Sequence, residues 1–396
     1  MSQGAPYLDV EAPAFAMHSP QAAAAREQHW YARTPYGIAV LRHDDIARLM
    51  KDPRLIQGSV AWPAHNGVTD GPFAEWWSRI LLCREGVDHA RLRKLVNPAF
   101  SPRTLAPLQP AFERLAHAVI DDFADSGQCE FMTQFAEPYA TQVVTLLLGI
   151  PDEDWRMIAD WAGELGIALG VRFREQQARI NTALAALFAY ADQLIATRRR
   201  ALTDDFLSQL VVASEDGDRL SDQELRDMVV LLIFGGIDTT RNQLSLGIKI
   251  FLEHPAQWEL LANEPPLARN AVEEIMRLAP TTTWVSRQAA VDFSYRELAI
   301  KAGTTVHLFA AVAGSDPAAY ENPGFDITAR RAPHHGFGGG IHYCLGHAVA
   351  RSDMAVAFTA LSARLSRLRL TGPARWLPDS GNTGAEVLPL GFDLRG

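Results

Sequence analysis

The chain has 396 residues, 48% of them hydrophobic, and a formal net charge of −9 at pH 7. This apolar content is sufficient for an extensive core, and the acidic balance argues against a general nucleic-acid or membrane-surface binder, which would carry a basic face. Three widely spaced cysteines exclude a disulfide framework and the usual zinc patterns, and they fit a reducing cytosol.

The sequence shows neither a targeting segment nor a membrane span. Met1–Pro20 lacks both a basic region and a long apolar run. The longest apolar run elsewhere, Met228–Ile237, is far shorter than the ~20 residues that a membrane span requires. We therefore expect a cytoplasmic protein with no nucleic-acid partner and no membrane partner.

The N-terminal part predicts a short strand, a helix and an aromatic-rich loop. Gly37–Leu41 is an apolar strand candidate, and a helix is predicted from Asp44 to Lys51. Residues 57–78 follow no period, so they are predicted to form either a plug in the core or a cover over a ligand. The large aromatic residues of this stretch are Trp62, Trp76 and Trp77.

The next region is predicted to be helical almost throughout. His89 and Arg93 lie four residues apart in a helical pattern that ends before Pro98, so both project from one helix face. A solvated basic face is the simple interpretation of such a pair, and an anion-binding pair is the alternative.

Between residues 105 and 200 the helical pattern continues with few breaks. Phe131–Phe135 is the only piece with an extended pattern. Trp155–Val171 and Gln176–Arg200 predict two further helices.

A long helix follows with an unusual centre. Ser221 and Glu224 form a capping box that predicts the start of a helix of roughly 30 residues, ending at His254. Its middle contains Gly235 and Gly236, each of which costs ~1 kcal/mol relative to alanine inside a helix. Asp238 and Thr239 add a charge and a hydroxyl among apolar neighbours: Phe234, one residue before the glycines, and Ile237. Local rules that fail on a buried element suggest function, although a packing notch is the alternative.

A further helix, beginning at Pro265-Pro266, contains Glu274 and Arg277 three residues apart. Such pairs are common on solvated helices and are a weak signal alone. Residues 281–284 then lead into short strand patterns up to residue 309, within which Arg287 is a single cation.

The most informative stretch is the glycine-dense loop Phe337–Gly346. Three adjacent glycines release the backbone from side-chain sterics, so the loop can approach a flat object closely. Cys344 lies just ahead of a predicted helix, where free amide groups and the helix dipole favour a thiolate. A lone thiolate on such a loop suits a metal with one soft axial ligand, such as haem iron. The alternative is a structural turn with a buried cysteine.

These residues resemble the cytochrome P450 family. The loop matches Phe-x-x-Gly-x-x-x-Cys-x-Gly at every fixed position, with His342 two residues before the cysteine. The centre of the long helix resembles the family's Ala/Gly-Gly-x-Asp/Glu-Thr signature, and two further pairs match its C-helix and K-helix motifs. The matching residues are Phe337, Gly340, Cys344 and Gly346; Gly235, Gly236, Asp238 and Thr239; His89 and Arg93; Glu274 and Arg277.

The resemblance extends over essentially the whole chain and implies a mainly α fold with a small β-rich region. We expect one cytochrome P450 domain, 1–396, whose β-rich part is roughly 36–60, 284–310 and 371–396, and whose helical part is roughly 86–280 and 344–366.

The resemblance also implies the roles of individual residues. Cys344 would ligate the iron of haem b (heme b, iron protoporphyrin IX), while Asp238 and Thr239 would form an acid–alcohol pair that delivers protons to dioxygen. Glu274 and Arg277 would be a structural ion pair behind the haem. The remaining cofactor-binding residues would be His89, Arg93, Arg287 and His342 at the propionates, with Gly235, Phe337 and Gly346.

The implied activity is that of a haem-thiolate monooxygenase that inserts one oxygen atom from O2 into an apolar small molecule. Electrons would come from NAD(P)H through a separate ferredoxin and ferredoxin reductase, because no flavin or iron–sulfur motif is present; we expect a monomer. The aromatic share of the expected substrate-lining residues favours a bacterial secondary metabolite, such as an aromatic polyketide. Those residues are Trp76, Trp77, Phe234, Thr283, Trp284 and Val285.

Alternatives remain at this stage. The substrate could instead be a steroid, a terpene or a xenobiotic, and it could be free or tethered to a carrier protein. A peroxide-driven enzyme of the same family would lack the acid–alcohol pair, and a thiol enzyme using Cys344 and His342 would lack a third, orienting partner. A haem-binding sensor without turnover is the rival from another class.

The chain departs from the family pattern at two places. Gly314-Ser315 stands where Asn-Arg is common before Asp316-Pro317, and Ala329 takes a usual arginine position, with Arg330 following one residue later. Both places lie in the segment expected on the proximal side, so they bear on the details of redox-partner docking.

Overall fold

The structure is a computed structural model that describes residues 4–169, 173–215, 218–379 and 381–395. Its α-helices are α1 Pro20–Gln28, α2 His43–Leu49, α3 Trp62–His65, α4 Pro72–Arg79, α5 Gly86–Val96, α6 Pro102–Leu105, α7 Gln109–Asp121, α8 Glu137–Leu148, α9 Trp155–Gly166, α10 Gln177–Arg200, α11 Phe206–Val212, α12 Asp222–Glu253, α13 Pro255–Asn263, α14 Ala268–Leu278, α15 Ala310–Ala313 and α16 His347–Arg364. Its strands are β1 Tyr31–Thr34, β2 Gly37–Val40, β3 Leu55–Gln57, β4 Gln128–Glu130, β5 Ser214–Glu215, β6 Asp218–Arg219, β7 Val285–Ala289, β8 Phe293–Tyr295, β9 Leu298–Ile300, β10 Thr305–Leu308, β11 Leu365–Leu370, β12 Arg375–Trp376, β13 Ala385–Val387 and β14 Pro389–Leu394.

Helix α12 is the central element. Its 32 residues begin at the capping box, in which Ser221 Oγ accepts from Glu224 N and the Glu224 carboxylate accepts from Ser221 N. At ~1.5 Å per residue the helix is about 48 Å long, so it crosses the whole protein interior. No helix among the described residues is both long enough and apolar enough to cross a membrane.

Two hydrophobic cores lie along α12. Its N-terminal half, from Leu225 to Ile237, packs into a core with α4, α9 and α10. Its C-terminal half, from Leu244 to Phe251, packs into a second core with α7, α14 and α16. The polar segment between them, residues 238–243, therefore lies where the two cores meet.

A five-stranded sheet in the order β1-β2-β10-β7-β3 lies beside the helices. Strand β10 runs parallel to β2 and antiparallel to β7, which pairs in turn with β3. One face packs on α2 and the other on α1 and the N-terminal segment. This sheet holds β7, and with it Arg287, next to the cysteine loop.

The C-terminal residues form a second sheet in the order β11-β14-β4. Strand β14 returns antiparallel to β11 and pairs on its other side with β4. The loop before β13 thereby runs back along α12, where Ala385 N donates to Ser245 Oγ at 3.0 Å.

Two local predictions were wrong. Residues 72–79 form α4 and not an aperiodic loop, because Pro72 in the first turn favours a helix start and the buried residues Phe73, Trp76 and Trp77 share one face. Phe131–Phe135 is not extended: the strand is β4, just before it, and Met132–Ala136 form a π-helical turn. The rings of Phe131, Phe135 and Tyr139 stack at spacings of four residues, which is a helical spacing.

Glu274 and Arg277 form a bidentate ion pair inside the protein. The two nitrogen–oxygen distances are both 2.7 Å, and each side chain is 1% exposed. A third side chain joins them, because Arg331 Nε lies 3.5 Å from Glu274 Oε1. The additional cation near the Glu274 carboxylate is therefore Arg331. It is not Arg330, the residue directly after Ala329, where the family usually has arginine.

The departure at Gly314 has a steric reason. A Cβ at Gly314 would lie 1.7 Å from the carbonyl oxygen of Arg277, so only glycine fits there. The Gly314 carbonyl in turn accepts from Arg277 Nη1 at 2.5 Å. Its neighbour Ser315 accepts from Arg26, which reaches over from α1 at 2.8 Å.

Candidate active site

The cysteine loop is held closed by its own backbone. Cys344 N donates to the carbonyl oxygen of Phe337 at 2.9 Å, and Tyr343 N donates to that of Gly340. Gly338 and Gly340 have φ values of +69° and +68°, which glycine adopts without strain. The loop thus presents Cys344 three residues ahead of the first residue of α16.

The close approach made by these glycines is to the protein itself. A Cβ at Gly339 would lie 2.7 Å from Met50 Sδ, and one at Gly340 would lie 2.6 Å from the Met50 carbonyl oxygen. The glycines therefore let the loop pack tightly on the end of α2. In contrast, a Cβ at Gly346 would meet no atom within 4 Å, so open space lies beside Gly346, two residues after Cys344.

The surroundings of Cys344 act on its thiol in opposite directions. Burial raises the pKa of the Cys344 thiol, whereas the backbone N–H groups of Gly346 and His347 and the cations Arg93 and Arg351 favour the thiolate. A bound metal cation reverses such a balance, because a coordinating thiol loses its proton.

Four basic side chains gather near the loop. The rings of His89 and His342 are 4.3 Å apart, and burial, followed by the cation of His342, lowers the pKa of His89 to about 4. Burial also lowers the pKa of Arg93 and of Arg287. These four side chains come from α5, β7 and the cysteine loop, which are distant in sequence.

Their only neighbouring carboxylate among the described residues is Glu85. Its Oε1 accepts from His342 Nε2 at 3.0 Å and from Gln57 N at 2.5 Å. Arg287 is 2% exposed, yet its hydrogen-bond partners are neutral: Gln57 Oε1 at 3.4 Å and the Ser286 carbonyl at 3.0 Å. Glu85 acts on Arg287, but one carboxylate does not balance both Arg93 and Arg287, so this group has too little negative charge.

Open space also lies beside the centre of α12. Gly235 is exposed although Phe234 and Ile237 on either side are buried, and a Cβ at Gly235 would meet no atom within 4 Å. Gly236 faces the other way, since its Cβ would lie 2.8 Å from Val144 of α8. Thr239 Oγ1 donates to the Gly235 carbonyl at 2.5 Å, which holds its hydroxyl at this space.

Asp238 is buried and fully hydrogen-bonded. Its Oδ1 accepts from Arg241 Nε at 3.0 Å and from Arg241 Nη2 at 2.9 Å. Its Oδ2 accepts from Asn382 Nδ2 at 2.6 Å and, more weakly, from Asn242 Nδ2 at 3.4 Å. Arg241 continues to Glu137 of α8 at 3.0 Å, and both of these side chains are partly exposed.

These features fit haem b. A single soft ligand is offered by Cys344, and the described residues contain no cluster of three or more His, Cys, Asp or Glu side chains that could hold a metal ion by themselves. The two propionate carboxylates of haem b would supply the negative charge that His89, Arg93, Arg287 and His342 lack. The open spaces beside Gly235 and Gly346 leave room for a bound group.

Three of the expected substrate-lining residues lie together. Trp76 and Trp77 pack edge-on against Phe234, with ring centroids 5.7 and 6.1 Å away. With two further rings they form the aromatic cluster: Phe73, Trp76, Trp77, Phe173 and Phe234. Trp77 Nε1 donates to the Ser59 carbonyl at 2.7 Å, whereas Trp76 Nε1 is buried without a partner among the described residues.

The other three expected lining residues lie elsewhere. Thr283 is buried and donates to the Gly381 carbonyl, and Val285 lies close to the cysteine loop, since a Cβ at Gly338 would be 3.8 Å from it. Trp284 stacks between His307 and Phe309, on the face of the sheet that packs on α1. The structure does not bring Trp284 into the aromatic cluster.

Several residues of this site were not found from the sequence. Arg241 had a detectable signal, because it follows Asp238 by three residues on one helix. Glu85, Asn382 and Arg331 had none, since their partners are distant in the chain and the contacts depend on how the elements pack.

Comparison with known proteins agrees with this architecture. The family model described as "Cytochrome P450" matches residues 167–371. Luteothin monooxygenase of Streptomyces thioluteus is 37% identical over 395 residues, which is 98% of this chain and 96% of the relative. The polyketide biosynthesis cytochrome P450 PksS of Bacillus subtilis is 32% identical over 89% of this chain and 88% of its own length. The solved structure of CYP109Q5 from Chondromyces apiculatus superimposes with a TM-score of 0.88 at 26% identity, over 98% of this chain and 99% of that one.

The fold and the site thus define a haem oxidoreductase. The chain belongs to the cytochrome P450 family. It is a P450 monooxygenase of the bacterial type, with haem b as cofactor, O2 as co-substrate and NAD(P)H as the source of electrons.

Proposed function

We propose that this P450 hydroxylates an apolar, ring-containing secondary metabolite, such as an aromatic polyketide, with Cys344 as the protein ligand of the haem iron. One observation supports the assignment of the site: the buried basic side chains around Cys344 have too few neighbouring carboxylates to balance their charge. His89, Arg93, Arg287 and His342 would bind the propionates. Phe337, Gly346 and Gly235 would border the haem.

The haem, once bound, supplies dioxygen activation, and electron donation from the thiolate favours cleavage of the O–O bond. The protein's own task is proton delivery. Thr239 holds a hydroxyl proton at Oγ1 beside the open space at Gly235. Asp238 would take up protons from water, and the ion pairs of Arg241 with Asp238 and Glu137 would keep a polar, partly exposed path open beside it. A carboxyl group positioned in this way can act as a general acid, and the threonine hydroxyl can donate a hydrogen bond.

We expect Thr239→Ala to keep haem and substrate but to lose coupling, because the hydroxyl beside Gly235 is removed. The amount of product formed per NAD(P)H consumed should fall several-fold, and hydrogen peroxide should rise by a matching amount. The measurement is parallel quantification of NAD(P)H, peroxide and product. Thr240→Ser, a conservative change at the next position along α12, serves as the control. Unchanged coupling in Thr239→Ala would contradict the role, and absence of any turnover in the wild type would favour a haem sensor.

The aromatic cluster supports a flat substrate. Trp76 and Trp77 pack edge-on against Phe234, one residue before Gly235, so a planar ligand could take part in the same packing. The unpartnered Trp76 Nε1–H would also donate a hydrogen bond to an acceptor on the ligand, such as a carbonyl oxygen. Two relatives support a biosynthetic substrate, since one acts on luteothin by name and the other is named for polyketide biosynthesis. A steroid, terpene or xenobiotic substrate is the second candidate.

A metabolite library screened for the high-spin shift of the haem spectrum identifies the substrate class and tests Trp76. For hits that carry a carbonyl group, Trp76→Phe should weaken binding by about twofold to tenfold, since a neutral hydrogen bond contributes ~0.5–1.5 kcal/mol. Hits without a hydrogen-bond acceptor should bind equally well to the wild type and to Trp76→Phe. Equal binding of every carbonyl-bearing hit would contradict a contact with the Trp76 indole, and hits confined to steroids or terpenes would overturn the polyketide proposal.

We also propose the partners and the compartment. A separate ferredoxin and its reductase would deliver the electrons to a monomeric enzyme in the cytoplasm. Neither Cys83 nor Cys129 suits a second redox centre, since both are buried and free, and burial raises the pKa of each thiol to about 12. Free cysteines agree with a reducing compartment.

A further inference from the structure

The strongest unassigned feature is the contact between Asp238 and the C-terminal loop, residues 381–384. Asn382 Nδ2 donates to Asp238 Oδ2 at 2.6 Å across a separation of 144 residues. The other described donors to Asp238, Arg241 and Asn242, belong to the same helix as Asp238 itself. Asn382 is therefore the described donor that can move relative to the carboxylate.

Asn382 is held at its other end by the wall segment, residues 281–283. Its Oδ1 lies 2.8 Å from Thr281 Oγ1, whose hydroxyl is also 2.6 Å from the Thr383 carbonyl, and the contact with the Asp238 carboxylate defines which end of the amide is the NH2 group. The backbones of the two segments are also joined, because Thr383 N donates to the Thr281 carbonyl and Thr283 N donates to the Gly381 carbonyl, each at 2.8 Å. Any displacement of the wall segment is thus passed to Asn382.

The loop lies directly against α12 at Gly384. A Cβ at Gly384 would lie 2.6 Å from Cβ of Asn242, so glycine is required for the loop to lie this close to the helix. Gly166 of α9 also lies close, since an added Cβ there would be 3.5 Å from Asp238 Oδ1. Among the described residues, the side-chain donors to Asp238 come from α12 and from this loop.

We propose that Asn382 is a positioning residue that holds Asp238 Oδ2 and connects the wall segment to proton delivery. The proposal rests on the role of Asp238 given above. To take up a proton, Oδ2 must release one of its donors. The ion pair with Arg241 involves two charges and is the stronger contact, so the neutral amide of Asn382 is the donor that yields. A substrate seated against the wall segment would move Thr281 and, with it, Asn382.

The test uses the haem-loaded enzyme with two variants, Asn382→Ala and Asn382→Asp. We expect product per NAD(P)H to fall about threefold or more in Asn382→Ala, and further in Asn382→Asp, where a second carboxylate would face Asp238. Haem content and the spectrum of the carbon monoxide complex should match the wild type. With hydrogen peroxide supplied in place of O2 and NAD(P)H, product formation should stay near the wild-type rate, because the reductive proton steps are bypassed.

Asp238→Asn and Asn263→Asp complete the experiment. Asn263 lies on the exposed end of α13, so its variant adds the same charge far from the site and should behave as wild type. In the double variant Asp238→Asn/Asn382→Ala, coupling should be no lower than in Asp238→Asn alone, because both changes act on one contact.

The outcomes separate this inference from the proposed function. If Asp238→Asn lowers coupling but both Asn382 variants match the wild type, Asn382 has no positioning role while the role of Asp238 stands. If the Asn382 variants lose the peroxide-driven reaction to the same extent as the NAD(P)H-driven one, the contact is structural and the inference fails. If Asp238→Asn itself leaves coupling unchanged, both proposals fail.

Discussion

Cys344→Ser is expected to abolish the red-shifted Soret band of the reduced, carbon monoxide-bound protein. A serine hydroxyl stays protonated and is a hard ligand, so it cannot replace the soft thiolate that Cys344 would provide. In the same variant, NAD(P)H-dependent product formation should fall below detection. The measurement is the carbon monoxide difference spectrum, together with haem content per chain, so that loss of the ligand is distinguished from loss of the cofactor.

The matched control is Cys129→Ala. Cys129 is a buried, free cysteine in β4 and not part of the cysteine loop, so its replacement should leave the red-shifted band in place even if stability falls. Persistence of that band in Cys344→Ser would exclude Cys344 as the iron ligand. Its loss in both variants would show that the band reports general damage and not one specific cysteine.

Arg287→Met is expected to weaken haem retention without destabilising the haem-free chain. Arg287 is 2% exposed and its hydrogen bonds are to neutral oxygens, so in the haem-free chain its charge is compensated only by the nearby Glu85, which also serves His342. A charge-assisted hydrogen bond contributes ~1.5–3 kcal/mol, so haem transfer to an acceptor protein should be at least about tenfold faster. The free energy of unfolding of the haem-free chain, measured by denaturant titration, should stay level or rise.

Arg277→Met is the matched control, because it replaces an equally buried arginine but should lower the free energy of unfolding. Arg277 is 1% exposed and bidentate with Glu274, so its removal leaves a buried carboxylate with a weaker partner. Removing one member of a buried ion pair costs roughly 3–5 kcal/mol, which should appear as a lower free energy of unfolding. If Arg287→Met lowers the free energy of unfolding as much as Arg277→Met does, Arg287 is a structural cation. Full haem retention in Arg287→Met combined with Arg93→Met would exclude both as propionate ligands.

Parts of the site that lie within one segment could be predicted from the sequence. The capping box at Ser221, the length of α12 and the spacing of His89 and Arg93 depend on helix geometry, which is local. The cysteine loop is similarly local, since its turns are closed by backbone hydrogen bonds within the segment 335–344. Phe131–Phe135 shows the limit of local patterns, because a run of buried aromatic residues suits a strand or a helical turn equally.

The glycines of the cysteine loop illustrate a different limit. Their number predicted a close approach, and a close approach is present, but its object is Met50 at the end of α2. By contrast, an added Cβ at Gly235 or Gly346 would meet no atom within 4 Å, whereas one at Gly236, directly beside Gly235, would lie 2.8 Å from Val144. Which side of a glycine is empty depends on the neighbouring elements and not on the glycine.

The sequence alone determined the family, the mainly helical fold and the identity of the residues expected to do the chemistry, because these are encoded in short motifs whose geometry is local. Only the tertiary structure decided which groups support those residues. Glu85 reaches His342, Arg331 reaches Glu274 and Asn382 reaches Asp238 because distant segments are brought together by packing along α12 and the sheet. Such contacts depend on distances of a few ångströms between elements, and no spacing along the chain records them.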